Sequence, residues 1–219
     1  MYKQSIHANN VLVLTVRYHT RIKLIFLTKS PDCQDYLKAQ VEPSFQILQD
    51  ENVVRLTIVP FGNAEIDTTK ETVLCQHGLG ECDANSYEQC MISLVPSPSE
   101  YLPILFCVES KLPPGRKDEK FDPAIFSECS STDFDLIQAC HDNPVISWVL
   151  QVEASKLTPS YHNAVPWVEI DGEHIDEENI NLAEEICNAY LAKGGSSPHC
   201  TQLINKRRYF DIDGISMSQ

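Results

Sequence analysis

An α/β fold interrupted by a helical, disulfide-stapled insertion is what these 219 residues predict, and three observations carry it. Strand-like, helix-like and again strand-like stretches follow one another between residues 21 and 60. Six of the nine cysteines then fall in a helix-patterned middle, about 62–160. Strand character returns near residue 165 and ends in an amphipathic helix. A chain of this length can bury the core of one domain that carries an insertion.

RIKLIFLT, residues 21–28, is apolar and β-branched and runs into Ser-Pro-Asp, the pattern of a buried strand. Ser30 suits a helix cap and Pro31 a first helical turn. The spacing predicts a helix from about Asp32 to about Leu48, kinked or broken at Pro43. Asn52 to Pro60 reads as a second strand. A strand, helix and strand in forty residues imply a parallel pair with a right-handed crossover. In the middle, Tyr87–Val95, Pro123–Cys140 and Val145–Ala154 have helix-length apolar patterns, separated by the loops VPSPSE and KLPPGRKDEK. Val165–Ile170 is a strand, Asp171-Gly172 a hairpin turn and Glu173-His174-Ile175 its return. From 177 to 192, Ile180, Leu182, Ile186 and Tyr190 recur at helical spacing and stop before Gly194-Gly195. Glu177-Glu178 and Glu184-Glu185 belong to its solvated face and favourable N-terminal charge. The order βαβ, insertion, ββα matches a thioredoxin-like domain at 21–200, with an extension at 1–20 and a tail at 201–219.

The formal net charge of −14 and sequence pI near 4.8 argue against nucleic acid as a partner. The basic triplet Lys206-Arg207-Arg208 is too short to offset this and reads as part of a solvated tail. The apolar run Val11–Val16 is too short for a signal-peptide core or a membrane span, and no other stretch qualifies as a span. No nucleophile elbow, phosphate-cradling glycine loop or zinc-protease helix occurs, and no cofactor or metal is expected. The cysteines, at 33, 75, 82, 90, 107, 129, 140, 187 and 200, lack the paired spacing of zinc ribbons. Their number favours an oxidising compartment and a disulfide framework, with the odd count leaving one thiol over. A secreted or lysosomal location then implies a leader absent from these residues. No N-glycosylation sequon accompanies it.

Cys75-Gln76-His77-Gly78, Glu81-Cys82, Asn85 and Cys90 fit the pattern CQHG-x-x-EC-x-x-N-x-x-x-x-C at every fixed position. This segment resembles the hallmark of the gamma-interferon-inducible lysosomal thiol reductase family. VRLTIVPFGNAEI (54–66), AVPWVEIDG (164–172) and EEICNAYLAKGGSSPHC (184–200) extend the resemblance over about residues 21–200. The resemblance implies a thioredoxin-like fold, secreted or lysosomal residence and reduction of protein disulfides at acidic pH. Read on its own, the cluster Cys75, His77, Cys82 and Cys90 has the ligand types for zinc, but its irregular spacing favours disulfides, with His77 a hydrogen-bonded structural residue. Cys187 and Cys200 close a short loop and are expected to pair. Cys129 with Cys140 is expected on position, leaving Cys75, Cys82, Cys90 and Cys107 for two more bridges. Val165-Pro166 resembles the cis-proline loop of thioredoxin-like proteins, with Trp167 beside it as packing.

The family's Cys-x-x-Cys motif maps onto Ser30-Pro31-Asp32-Cys33, so Ser30 stands where the attacking cysteine belongs and Cys33 where the resolving one does. A hydroxyl barely ionises in this pH range and cannot perform thiol–disulfide exchange. Cys33, inside the first turn, is expected to be buried with a raised pKa, nudged further by Asp32. Two origins of Ser30 remain: native loss, or an engineered Cys→Ser change in an active thiol–disulfide oxidoreductase. The first reading is the working expectation: a secreted, catalytically silent relative that binds a protein, peptide or cell-surface partner. The binding groove is then formed by Pro31, Asp32, Val165 and Pro166, or the insertion takes its place. Oligomeric state stays open.

Overall fold

The computed structural model describes residues 4–6, 12–14, 19–48, 53–95, 97–113, 115, 120–130, 134–177 and 180–213, with side chains from 19 to 206. Its centre is a four-stranded sheet of order β4-β3-β7-β8, formed by β3 (Thr20–Phe26), β4 (Val54–Pro60), β7 (Trp167–Ile170) and β8 (Glu173–Ile175). β3 pairs parallel with β4, Thr20 opposite Val54 through Phe26 opposite Pro60, as the strand–helix–strand reading requires. On its other side it pairs antiparallel with β7, Ile25 facing Trp167. Asp171 and Gly172 both have positive φ, the backbone of a two-residue hairpin turn, and join β7 to β8. Short hairpins outside the sheet are β1 (Gln4–Ile6) with β2 (Leu12–Leu14), and β5 (Glu65–Asp67) with β6 (Thr72–Leu74).

Alternation along β3 sends Ile22, Leu24 and Phe26 to one face and Ile25 to the other. Burying each such side chain contributes about 1.5–3 kcal/mol, which fixes the strand's register. The first face packs on α1 (Pro31–Tyr36), α2 (Glu42–Leu48), α8 (Leu182–Ala192) and the inserted helices. α1 and α2 form one helical path joined by a π-helical turn at Leu37–Val41. Pro43 therefore does not end the path. The wider turn just before it accommodates a ring that cannot join the regular ladder.

The insertion opens with the β5–β6 hairpin and continues as α3 (Leu79–Leu94), α4 (Pro98–Lys111), α5 (Ala124–Cys129), α6 (Phe134–Asp142) and α7 (Pro144–Leu157). α3 is buried on nearly every side, and Tyr87 on it packs with the rings of Phe121, Phe126, Phe134 and His141. Three boundaries differ from the sequence reading. The Pro123–Cys140 pattern is two helices, because α5 ends at Ser130 in extended backbone. The last predicted helix starts at Leu182, capped by the Asn181 side chain, so Glu177 lies before it and instead accepts the Val168 N–H. Glu178 lies outside the described residues. The tail expected from 201 is largely α9 (Pro198–Asp213), tied to α8 by Cys187–Cys200. No helix among the described residues is long and apolar enough to cross a membrane.

Candidate active site

The chain leaves β3 at Leu27 and turns through Thr28 and Lys29, with Ser30 N–H donating to the Leu27 carbonyl at 3.1 Å. Lys29 holds φ of 70° and is only 2% exposed. Gly62, itself at positive φ, closes over this exit. A Cβ there would lie 2.8 Å from the Leu27 side chain, so only glycine fits. α1 then begins with Ser30 at its cap and Pro31 at N1. The Ser30 side chain does not cap the helix, contrary to the sequence reading; its carbonyl receives the Gln34 N–H at 2.9 Å. The hydroxyl is turned inward and donates to the sulfur of Cys33.

Cys33 is 0% exposed, and its Sγ also receives the Leu27 N–H at 3.4 Å. Burial pushes the thiol up to about 12; the two hydrogen bonds work against this, while the charges of Glu109 and Asp32 add to it. Any thiolate advantage from the start of α1 is overridden by the loss of water. Asp32 and Pro31 are exposed at the same helix end. The Val165-Pro166 peptide bond is cis and immediately precedes β7. Since Trp167 faces Ile25, the antiparallel register sets that bond beside the Leu27 exit of β3, next to the Ser30–Cys33 turn.

The CQHG segment builds a second loop against the first. Cys75 and Cys82 are bonded, and the buried Glu81 accepts the N–H groups of Gln76 and His77. Its Oε2 also meets His77 Nδ1 at 2.6 Å, which makes His77 the structural residue expected. Gly115 N–H donates to the Lys29 carbonyl at 2.7 Å, and a Cβ on Gly115 would sit 3.2 Å from the His77 ring. Gly115 thus wedges the two loops together. One helical turn after Glu81, Asn85 Oδ1 accepts the Thr28 N–H and hydroxyl. The fixed positions of the segment are therefore spent on holding the turn that precedes Ser30.

The profile of the family described as Gamma interferon inducible lysosomal thiol reductase (GILT) matches residues 21–132. The chain belongs to the GILT family. A gamma-interferon-inducible lysosomal thiol reductase of Carassius auratus is 29% identical over 195 residues, 85% of this chain and 74% of that protein. A gamma-interferon-responsive lysosomal thiol protein of Arabidopsis thaliana is 28% identical over 181 residues, 79% of this chain and 72% of that one. Among solved structures, oxidised BdbD from Bacillus subtilis superposes with a TM-score of 0.60 at 13% identity, covering 78% of this chain and 88% of its own. Reduced DsbA from Mycobacterium tuberculosis gives 0.58 at 15%, covering 84% and 86%. These likenesses establish the thioredoxin-like, DsbA-type fold with its helical insertion.

In this GILT-family chain eight cysteines form four bridges: Cys75–Cys82, Cys90–Cys140, Cys107–Cys129 and Cys187–Cys200. The expected Cys129–Cys140 pair is not made. α5 lies along α4 and α6 along α3, so each cysteine finds its partner on the helix it packs against rather than on its neighbour in sequence. Cys33 is the free cysteine among the described residues. Three participants had no sequence signal. Lys29, Glu88 and Glu109 look like ordinary charged residues, yet they are 2%, 0% and 3% exposed beneath the Ser30 turn. The one available hint is that Glu88 and Glu109 interrupt apolar helical patterns.

Proposed function

We propose that this GILT-family chain, resident in the secretory or lysosomal pathway, has lost thiol reductase chemistry and acts by binding an extended protein or peptide. One observation carries the reading: an oxygen, Ser30 Oγ, is the atom that the residue at the start of this turn sets against the buried sulfur of Cys33. Reduction of a disulfide begins when a thiolate attacks one sulfur, forming a mixed disulfide and expelling the other sulfur as a thiol. A second thiolate then attacks the mixed disulfide, closing a new disulfide and freeing the substrate. Ser30 cannot form the first S–S bond. Cys33, shielded and held protonated, cannot take its place.

The binding half of the apparatus is intact. Pro31 and Asp32 are exposed at the start of α1 and the cis Val165-Pro166 bond lies beside the Leu27 exit of β3 that leads to them, which supports a groove where backbone meets an extended partner. The cell-surface or luminal protein that fills it is a partner of this proposal alone. The test is turnover of insulin disulfides by the full chain, with a small dithiol as reductant, from acidic to neutral pH. Rates equal to the dithiol alone are expected; catalysis above that background sinks the reading. The same intact surroundings favour a second reading, in which a cysteine at position 30 makes this framework a reductase.

A further inference from the structure

Below the Ser30 turn two carboxyl groups from different helices meet in the core. Glu88 comes from α3 and Glu109 from α4, both buried, and the two carboxyls act on each other. Such a contact needs a proton, since two carboxylates offer only acceptors. Counting donors leads to the same requirement twice. Glu88 Oε1 and Glu109 Oε1 are both buried with no hydrogen-bond partner among the described residues. The Thr28 hydroxyl, with one proton, lies 2.5 Å from Asn85 Oδ1 and 2.9 Å from Glu88 Oε2, and cannot donate to both. A proton on Glu88 supplies one of the missing donors; two bare carboxylates supply none.

Every other anchor of the pair belongs to the turn above it. Thr28 contacts Glu88, the Lys29 N–H donates to Glu109, and the Gln34 amide donates to Glu109 Oε2 at 2.9 Å and to the Leu112 carbonyl at 3.1 Å. Among the described residues, the other charged and titratable groups acting on the pair are the buried Lys29 from the turn and the Cys33 thiol from α1. Lys29 offsets one negative charge, not two. Burial raises both carboxyls above the usual range, consistent with a retained proton.

We propose that Glu88 and Glu109 form a proton-operated latch on the Thr28–Gln34 turn. With one proton between them the carboxyls clasp Thr28, Lys29 and Gln34 and keep Cys33 covered. When that proton leaves to water, two like charges face each other out of reach of solvent. Their repulsion is relieved by parting, which loosens the three residues they hold. No electron moves. The latch is shut while a proton remains between the pair and loosened in alkaline surroundings once the last one leaves, and it operates whether position 30 carries oxygen or sulfur.

Hydrogen–deuterium exchange of the full chain tests this, each rate being divided by the intrinsic chemical rate at its pH. Protection of the amides at 29, 30 and 32–34 should fall by about tenfold or more between acidic and mildly alkaline pH, while amides of β3 and β4 hold theirs. Glu88→Gln supplies a permanent donor in place of the proton and should keep the turn protected throughout; Glu109→Gln should do the same from the other side. Flat protection of the turn in the parent chain overturns the latch, with or without well-folded variants. So does a fall that persists in either variant.

Discussion

The hydroxyl of Ser30 donates to the sulfur of Cys33 across the first turn of α1. A bridge needs Cβ atoms about 3.5–4.5 Å apart, an approach that the extended backbone of Ser30 at the start of α1 allows towards Cys33. Ser30→Cys should therefore form a bridge with Cys33 under oxidising conditions. Reduced, it should turn over insulin disulfides at least ~10-fold above the parent, which stays at background. Mass analysis of the oxidised variant, two hydrogens lighter at this pair, and the insulin assay check the two halves. A variant that bridges yet remains silent would mean that the surrounding site has decayed as well.

Cys33 itself should be inert. A thiol pushed up to about 12 by burial is ionised at neutral pH about a thousandfold less than an ordinary cysteine, before access is considered. Titration with an aromatic disulfide reagent should count no thiol in the native chain and one after denaturation without reductant. A stoichiometric native reaction would show that Cys33 opens to solvent, and with it a route to monothiol chemistry.

The fold was legible where one physical signal dominates. Β-branched runs bounded by turn residues gave β3, β4 and β7, and Asp171-Gly172 gave the hairpin because few pairs accept positive φ twice in succession. α4 was obscured by its prolines: Pro98 sits harmlessly in the first turn, but Pro103 inside the helix looks like a break. Ser30 and Cys33, the positions that the resemblance aligns with the family motif, could be singled out because that motif is local in sequence. Glu88 and Glu109 could not, since their meeting depends on how α3 packs against α4. Partner choice among the cysteines failed for the same reason: sequence proximity favoured Cys129 with Cys140, whereas helix packing decided otherwise.

Stability should decline as pH rises from mildly acidic values. A carboxyl with a raised folded-state pKa keeps a proton that the unfolded chain has already released. In the window between the unfolded value of about 4.3 and the folded one the native state binds more protons, and unfolding free energy falls with pH. For Glu109, raised to about 7 mainly by burial, the loss is roughly 2–4 kcal/mol across that window. Asp171 works in the opposite sense: burial is the largest single effect and raises its pKa, but Lys193 and Arg21 together outweigh it and lower the pKa, so its contribution is present above the ordinary carboxyl range and lost below it. Urea midpoints should therefore peak in mildly acidic buffer, and Glu88→Gln should flatten the alkaline side. A midpoint that climbs steadily to neutral pH would contradict the assignment.

The four bridges should differ in worth according to the loops they close. Cys90–Cys140 spans 50 residues and ties buried α3 to α6, whereas Cys75–Cys82 spans seven. Loop-closure entropy in the unfolded chain gives about 4 kcal/mol for the first and about 2 kcal/mol for the second, on a model in which native strain is ignored. Paired Cys→Ala replacement at 90 and 140 should lower the unfolding free energy more than the same replacement at 75 and 82. Chemical denaturation under matched conditions measures both. The shorter bridge has a separate role that the entropy does not capture: it closes the loop in which Glu81 holds His77, and that loop abuts Lys29 through Gly115. Its loss should thus be read less in global stability than in faster exchange of the Thr28–Gln34 turn. If removing Cys75 and Cys82 leaves that turn as protected as before, the two loops are neighbours without mechanical coupling.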